Sequence, residues 1–445
     1  MATSNDRTDG IVPPSTTASA PNGTVPAEPV QNAAPGAHGN NRNSATTSKP
    51  LKVLVIGAGI AGLSAAAALR QAGHHSRIAN EIGAAIHVGV NASQALAYLG
   101  SDPARLQSVE CQTMTLYSPE GKKLREVHHE WPWVLTHRAD LHNELKLLAL
   151  DPSRDGKEPV LHLSSRVVSV DPVAGTIVLG NGEEHHGDLI VGADGIYASQ
   201  KAKQSTTREK VFADNKPLES VGTACYRFTV PAEKIEADPS CLPVVGGTGM
   251  TLIIAPTDPT KRIIIYPCRN GCLLNFVCMH PDTHGEVSKS WNTAATTEDV
   301  LSTYKDWAPS ITGLIAKADA DDVRCWRLLQ RPNLATFSEG RFCVVGDAAH
   351  PMLPHQGQGG GQAIEDGVAL GVLFEGNVAA DNVPALLDLY QQVRYARATA
   401  VQTLSREAAV GSSKLRPDAV QRYVFGHNVV DYAKHARSSI FLPPQ

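Results

Sequence analysis

The hexapeptide Gly57-Ala58-Gly59-Ile60-Ala61-Gly62 lies between an apolar run, Leu51 to Ile56, and an alanine-rich stretch that ends at Gly73. Glycines at this spacing, after a buried strand and before a helix, suit a dinucleotide. Gly57 permits the turn, Gly59 lets the backbone approach a pyrophosphate, and Gly62 lets helix and strand pack closely. The helix start adds free N–H groups and a partial positive charge for the phosphates. A tight turn that needs glycine for geometry alone is the other reading. A dinucleotide site also calls for an acid roughly 20 residues further on to hold ribose hydroxyls, and counting selects Glu81. The residues before it make a poor buried strand, because His74, His75, Ser76, Arg77 and Asn80 all resist burial.

The elements that must position this chemistry are written in the apolar pattern. Leu51 to Ile56 reads as a buried strand, and a helix follows the glycines. A second helix is expected near Asn91 to Leu99 with Asn91 as its N-cap, and a third after His137. Short alternating strands follow between Val160 and Ala193, with Asn181-Gly182 as a hairpin turn between TIVL and DLIV. Strand signals dominate from about 216 to 320, in ACYRFTV, TLIIAP, RIIIYPC and CLLNFVCM. RFCVVGD, 341–347, is another buried strand, and a helix starts near Gly360. The last 35 residues have weak helical character. Residues 1–50 are too poor in large apolar side chains to fold by burial and are expected to be a disordered tail.

Composition narrows the function. The chain has 445 residues, 42% of them apolar, which suffices for a large core. A net charge of -4 with 5% aromatics gives no footprint for nucleic acid. The eight cysteines form no CxxC and sit beside no His pair at metal spacing, so buried free thiols in a reducing, cytoplasmic compartment are expected, with no metal. The N-terminus lacks the apolar core of a secretory signal. No transmembrane segment is expected, since Val53 to Leu69 is short of the ~20 residues a span needs.

Three further motifs set the class. Gly192-Ala193-Asp194-Gly195 follows the strand DLIV, Gly346-Asp347-Ala348-Ala349-His350-Pro351 follows FCVV, and PHQGQGGGQAIEDG runs from Pro354 to Gly367. In this order the chain, over roughly residues 51–410, resembles the class A FAD-dependent aromatic monooxygenases, salicylate hydroxylase and related fungal hydroxylases among them. The resemblance implies an α/β fold: a Rossmann-like, p-hydroxybenzoate hydroxylase-like FAD-binding domain over 51–215 and 321–410, a β-sheet substrate domain over 216–320, and a C-terminal extension over 411–445. It implies FAD, NAD(P)H as co-substrate, dioxygen and a small phenolic or other electron-rich aromatic substrate.

The resemblance also implies roles. Asp347 would bind ribityl or ribose hydroxyls, a helix N-cap being its other reading. Gly357 to Gly361, with Gly359 and Gly360 central, would let backbone press on the isoalloxazine ring, and the next helix would aim its N-terminus at the ring. Arg138, opening a helix, would reach FAD unless it is a plain surface arginine. Asp194 and Gly195 match a motif tied to FAD and nicotinamide, although Ala198 and Lys201 stand where the family has Ser and Arg. His355 matches an active-site histidine, and an imidazole titrating near neutrality could take a phenol proton; a loop histidine that shapes the pocket is the alternative. Arg227 and Tyr266 match an arginine that anchors a phenolate and a tyrosine that orients it, with structural roles equally open.

Asn80 to Ile86, which includes Glu81 and Gly83, matches the stretch that follows the family's second strand. On that alignment several residues, the ribose-binding acid among them, are missing between His75 and Ser76. The favoured expectation is therefore a lost strand and weakened FAD binding; an improvised strand with Glu81 as the acid is the other. Three rivals follow: an inactive or flavin-poor binding protein, an FAD-dependent epoxidase, and an NAD-dependent dehydrogenase, which would leave the 346–351 motif without a task.

Overall fold

The computed structural model describes residues 49–78, 86–196, 206–213, 216, 218–241, 249–258, 260–282, 292–409 and 417–441. Residues 1–48 of the expected tail, and Glu81, Gly83, Ala198 and Lys201, lie outside the described residues. In chain order the strands are β1 (Lys52–Ile56), β2 (His75–Ile78), β3 (Ile86–Val88), β4 (Val109–Tyr117), β5 (Lys123–Thr136), β6 (Val160–Leu161), β7 (Val167–Asp171), β8 (Thr176–Leu179) and β9 (Glu184–His186). They continue with β10 (Leu189–Gly192), β11 (Glu219–Pro231), β12 (Met250–Ile254), β13 (Arg262–Cys268), β14 (Leu273–Pro281), β15 (Asn292–Ala294), β16 (Arg324–Gln330), β17 (Ser338–Glu339) and β18 (Phe342–Val344). The helices that matter to the site are α1 (Ile60–Gln71), α2 (Val90–Tyr98), α3 (Arg138–Leu150), α4 (Gly359–Leu373), α5 (Val383–Ala409), α6 (Pro417–Phe425) and α7 (Val429–Phe441).

The first sheet has the order β17-β18-β10-β1-β2-β6, parallel except for β17. Its strands β1, β10 and β18 are continuous apolar runs because both faces are covered. From β1 the chain goes first to β2 and then to β10 on the other side, a reversal that opens a crevice at the carboxyl ends. Val53 to Leu69 supplies β1 and most of α1, and among the described residues no helix is long and apolar enough to cross a membrane.

The expectation of a lost second strand is overturned. His75 to Ile78 runs parallel to β1, with Lys52, Val53 and Leu54 opposite His75, Ser76 and Arg77, and β6 pairs on its far side. Hydrogen bonding makes the burial of His74 tolerable. Its Nδ1 accepts from the Leu51 N–H at 3.2 Å, so Nε2 carries the proton and donates to Phe374 O at 2.7 Å. Ser76 is small enough to be buried, although its hydroxyl finds no partner among the described residues.

The second sheet has the order β15-β16-β11-β14-β13-β12-β4-β5-β3. It takes β3, β4, β5 and β16 from outside residues 216–320, because long-range pairing rather than chain contiguity assembles it. One face packs Phe228, Ile263, Ile265 and Phe276 under the helices Thr297–Thr303 and Pro309–Ile315. Strand alternation turns the neighbours the other way. Registers place Arg227, Val277, Ile264 and Leu252 in one row across four strands. A third sheet, β7-β8-β9, contains the Asn181-Gly182 turn, which joins β8 to β9 and not to β10.

Asn91 is not the N-cap of α2. Gly89 holds that position, and the buried Asn91 amide donates instead to Gln358 and Glu365 at 3.0 and 2.6 Å. Glu365 belongs to a buried ionic cluster between α4 and α5. Arg394 donates to Glu365 at 2.5 Å and to Asp366 at 2.7 Å, while Arg397 grips both oxygens of Glu365 at 2.7 Å. Burial alone would push the Glu365 carboxyl up, but the two arginines outweigh it and hold it at about 2. That stabilisation is present above the ordinary value of 4.5 and is lost as pH falls towards about 2. Arg394→Met, which removes the arginine from Asp366 and leaves its buried Oδ1 unpaired, is expected to cost about 3–5 kcal/mol in urea denaturation; an unchanged midpoint would remove the cluster from the stability of the fold.

Candidate active site

One cavity of about 500 Å³ lies where the carboxyl ends of the first sheet meet the second sheet. On the β1 side, Gly57 has φ +110°, and a Cβ there would lie 2.2 Å from Ala193 O. A Cβ on Gly62 would lie 1.9 Å from Gly57 O. Both glycines serve packing. Gly59 differs: its φ of -72° and ψ of -173° are open to any residue, and a Cβ would meet nothing within 4 Å. Its missing side chain leaves room in the cavity wall. The N-terminus of α1 has no side-chain cap and no acid in its first turn, so its N–H groups are available there. His142 on α3 bonds Ala58 O at 2.8 Å and steadies the loop.

The second wall comes from 346–360. Asp366 Oδ2 accepts from the Gly346 N–H at 2.8 Å and from His350 Nε2 at 2.6 Å. The buried Arg208 donates to Ala349 O at 3.3 Å and Pro332 O at 3.0 Å. These bonds hold a short turn from which Asp347 stands exposed at the cavity, with no side-chain hydrogen bond among the described residues. Surrounding protein pushes its carboxyl up, against the pull of Arg138 and His350. Arg138, the first residue of α3, lines the same cavity. Asp194 does not. Its carboxylate accepts the N–H (3.2 Å) and hydroxyl of Thr207, leaving Gly195 to line the wall.

The glycine run divides its labour. A Cβ on Gly357 would lie 2.6 Å from His87 Nδ1, and one on Gly360 would lie 2.2 Å from Ile86 Cδ1, so both yield to β3. Gly359 meets nothing within 4 Å and leaves room. The α4 N-terminus also lacks a side-chain cap and opens on the cavity. Two uncapped helix starts, two glycines facing space and an unpartnered carboxylate that can accept hydroxyls fit an anionic dinucleotide with a flat ring.

The other half of the cavity is the exposed face of the second sheet. Its floor includes Met114, Met250, Leu252, Ile264, Val277 and Met279, an adaptable apolar surface. Arg227, Arg262 and Tyr266 rise from it. Arg227 Nε is buried without a partner among the described residues, and its guanidinium lies 6.0 Å from the Trp326 ring centroid. Burial pushes the Tyr266 hydroxyl well above its ordinary value, with Arg227 pulling the other way. His355 faces this half from the turn Pro354–Gln356. It does not titrate near neutrality: burial, reinforced by Arg262, pushes its imidazole down to about 4.

Sequence reasoning missed several of these residues. Arg262 carried a signal, being two residues before Ile264 and four before Tyr266 on one alternating strand. Glu365 and Asp366 did as well, as adjacent acids inside an otherwise apolar helix. Gln421 and Phe425 line the cavity from the C-terminal extension, where no local motif marks them.

Comparison with known proteins agrees with this geometry. The FAD binding domain family matches residues 160–405. The FAD-dependent monooxygenase cfoG of Aspergillus candidus is 34% identical, over 82% of this chain and 86% of that protein. Hispidin-3-hydroxylase of Neonothopanus nambi is 34% identical, over 80% and 88%. A salicylate hydroxylase substrate complex superposes with a TM-score of 0.70 at 25% identity, covering 87% of this chain and 98% of that one.

The two kinds of glycine are separable by experiment. Gly59→Ala is expected to leave the stability of FAD-stripped protein within about 0.5 kcal/mol while sharply lowering retained FAD. Gly62→Ala is expected to cost the stripped protein about 1–3 kcal/mol. Equal FAD retention by Gly59→Ala and the parent would show that the room beside Gly59 is not used.

Proposed function

The chain belongs to the class A FAD-dependent aromatic monooxygenases, and on that footing we propose that it hydroxylates a phenol whose oxygen is held by Arg227 and Tyr266. The observation that carries the reading is a single cavity with Gly59, Asp347 and Gly359 on one side and Arg227, Tyr266 and His355 on the other. The open β1–α1 loop would take the pyrophosphate, Asp347 the ribityl or ribose hydroxyls, Arg138 a further contact, and the α4 N-terminus the polar edge of the ring. FAD, once reduced by NAD(P)H, supplies the activation of dioxygen. The formation of β2 removes the basis for a flavin-poor binding protein. A cytoplasmic location suits eight cysteines that are all free thiols.

Magnitudes assign the remaining roles. Moving a proton from a phenol near 10 to an imidazole near 4 is uphill by about six pKa units, roughly 8 kcal/mol. His355 alone cannot ionise the substrate. Arg227, on an apolar floor, supplies the charge that stabilises the phenolate, and low polarity strengthens that attraction. Tyr266 stays protonated and donates a hydrogen bond to the same oxygen. His355, neutral throughout the physiological range, accepts a hydrogen bond or a proton in transit. The Met-rich floor excludes water from the reacting ring.

Purified protein is expected to be yellow, to oxidise NAD(P)H faster with a phenol than without, and to place one atom of labelled dioxygen in the product. NAD(P)H oxidation that yields only hydrogen peroxide with every phenol would refute phenol hydroxylation. Arg227→Met is expected to lower kcat/KM roughly 10- to 100-fold at unchanged FAD content, as befits a charged hydrogen bond. The pH profile supplies a second test. The acid limb assigned to His355 is expected near pH 4. Removing the neighbouring cation in Arg262→Met makes protonation easier, so that limb should move to higher pH; a limb that stays put dissociates His355 from the profile.

A further inference from the structure

Helix α6 is nine residues long, too short to be stable alone. Its position is imposed from outside. Arg397, while gripping Glu365, also donates to the carbonyls of Tyr423 and Val424, each at 2.9 Å, and so satisfies acceptors in the last turn of α6. The guanidinium lies 5.8 Å from the Tyr423 ring centroid. Phe425 is thereby pinned: it is 4% exposed, and its ring centroid stands 5.5 Å from that of Trp133 and 5.8 Å from that of His87. A side chain on Gly89 would come within 2.6 Å of it. Gln421 lies one turn earlier on the same helix face, and both residues line the cavity that holds Arg227 and Tyr266.

We propose that α6 is the specificity-determining wall of the substrate cavity, with Phe425 limiting the bulk of substituents on the aromatic ring and Gln421 offering its amide to a polar one. This rests on the phenol reading above. The floor is adaptable methionine and aliphatic surface, which discriminates weakly by shape. Phe425 is a rigid ring held by its neighbours, and a rigid wall rejects excess volume because close-packed surroundings cannot yield. The glutamine is half-buried and borders apolar surface, so a ligand group that pairs with its amide gains what a purely apolar group forfeits.

The test uses full-length, FAD-loaded enzyme and three probes: phenol, 4-propylphenol and 4-phenylphenol. Affinity is read from the perturbation of the bound flavin's absorption. Phe425→Ala is expected to improve 4-phenylphenol relative to phenol by about 10-fold or more, and Gln421→Trp, which adds bulk from the same helix, to worsen it by a similar factor. Should Phe425→Ala lose its flavin, the half-exposed position 421 still reads the wall. Affinity ratios among the three probes that are the same in the parent and in each variant that retains FAD overturn the proposal alone. Flavin spectra that respond to no phenol in the parent overturn it together with the phenol reading.

Discussion

The pairing of Glu365 and Asp366 with Arg394 and Arg397 is the constraint on which both walls of the cavity depend. Two adjacent carboxylates at the centre of an apolar helix cost several kcal/mol each to desolvate. The arginines, one turn apart on α5, offset that cost only because every bond length and direction is met. The cluster then reaches outwards. Asp366 takes the Gly346 N–H and so sets the turn that carries Asp347. Glu365 takes the Asn91 amide and so ties α2 to α4. Arg397 reaches the carbonyls that end α6. The turn that carries Asp347 and the end of α6 are thus tied to one buried cluster.

Empty space is positioned as carefully as side chains. Gly57, Gly62, Gly357 and Gly360 are occupied by close neighbours, so their loss of a Cβ is consumed by the fold. Gly59, Gly195 and Gly359 leave room in the cavity wall, and Gly59 and Gly359 each stand at the start of a helix with no side-chain cap. Helix starts left uncapped inside a protein need a partner for their N–H groups. An anionic ligand meets that need at both ends of one molecule.

The half of the cavity formed by the second sheet places two cations on apolar surface. Arg227 and Arg262 both line an apolar surface, and Asp347, the one carboxylate among the described residues that line the cavity, stands in the other half. Burial, reinforced by the Arg262 cation, lowers the His355 pKa, which keeps the imidazole free to accept. A phenolate bound there would lose solvation on the apolar floor and would be stabilised by its attraction to the Arg227 guanidinium. The same electrostatics therefore favours binding and ionisation.

Local residue order by itself determined the glycine turn, the apolar strands and the 346–367 motifs, because these depend on burial period and backbone freedom within a few residues. It also indicated flavin chemistry, with Asp347, His355, Arg227 and Tyr266 at one site. It misjudged β2, since His74 is made tolerable by Phe374, three hundred residues away. It misassigned Asn91, whose amide pairs with residues more than 260 positions on. Only the tertiary structure decided which face of β11 and β13 meets the cavity, which glycines leave room, how far His355 is shifted, and that α6 closes the site. Each of those is set by what packs against a residue from a distant part of the chain, and desolvation, close contact and charge proximity are properties of that neighbour rather than of the residue alone.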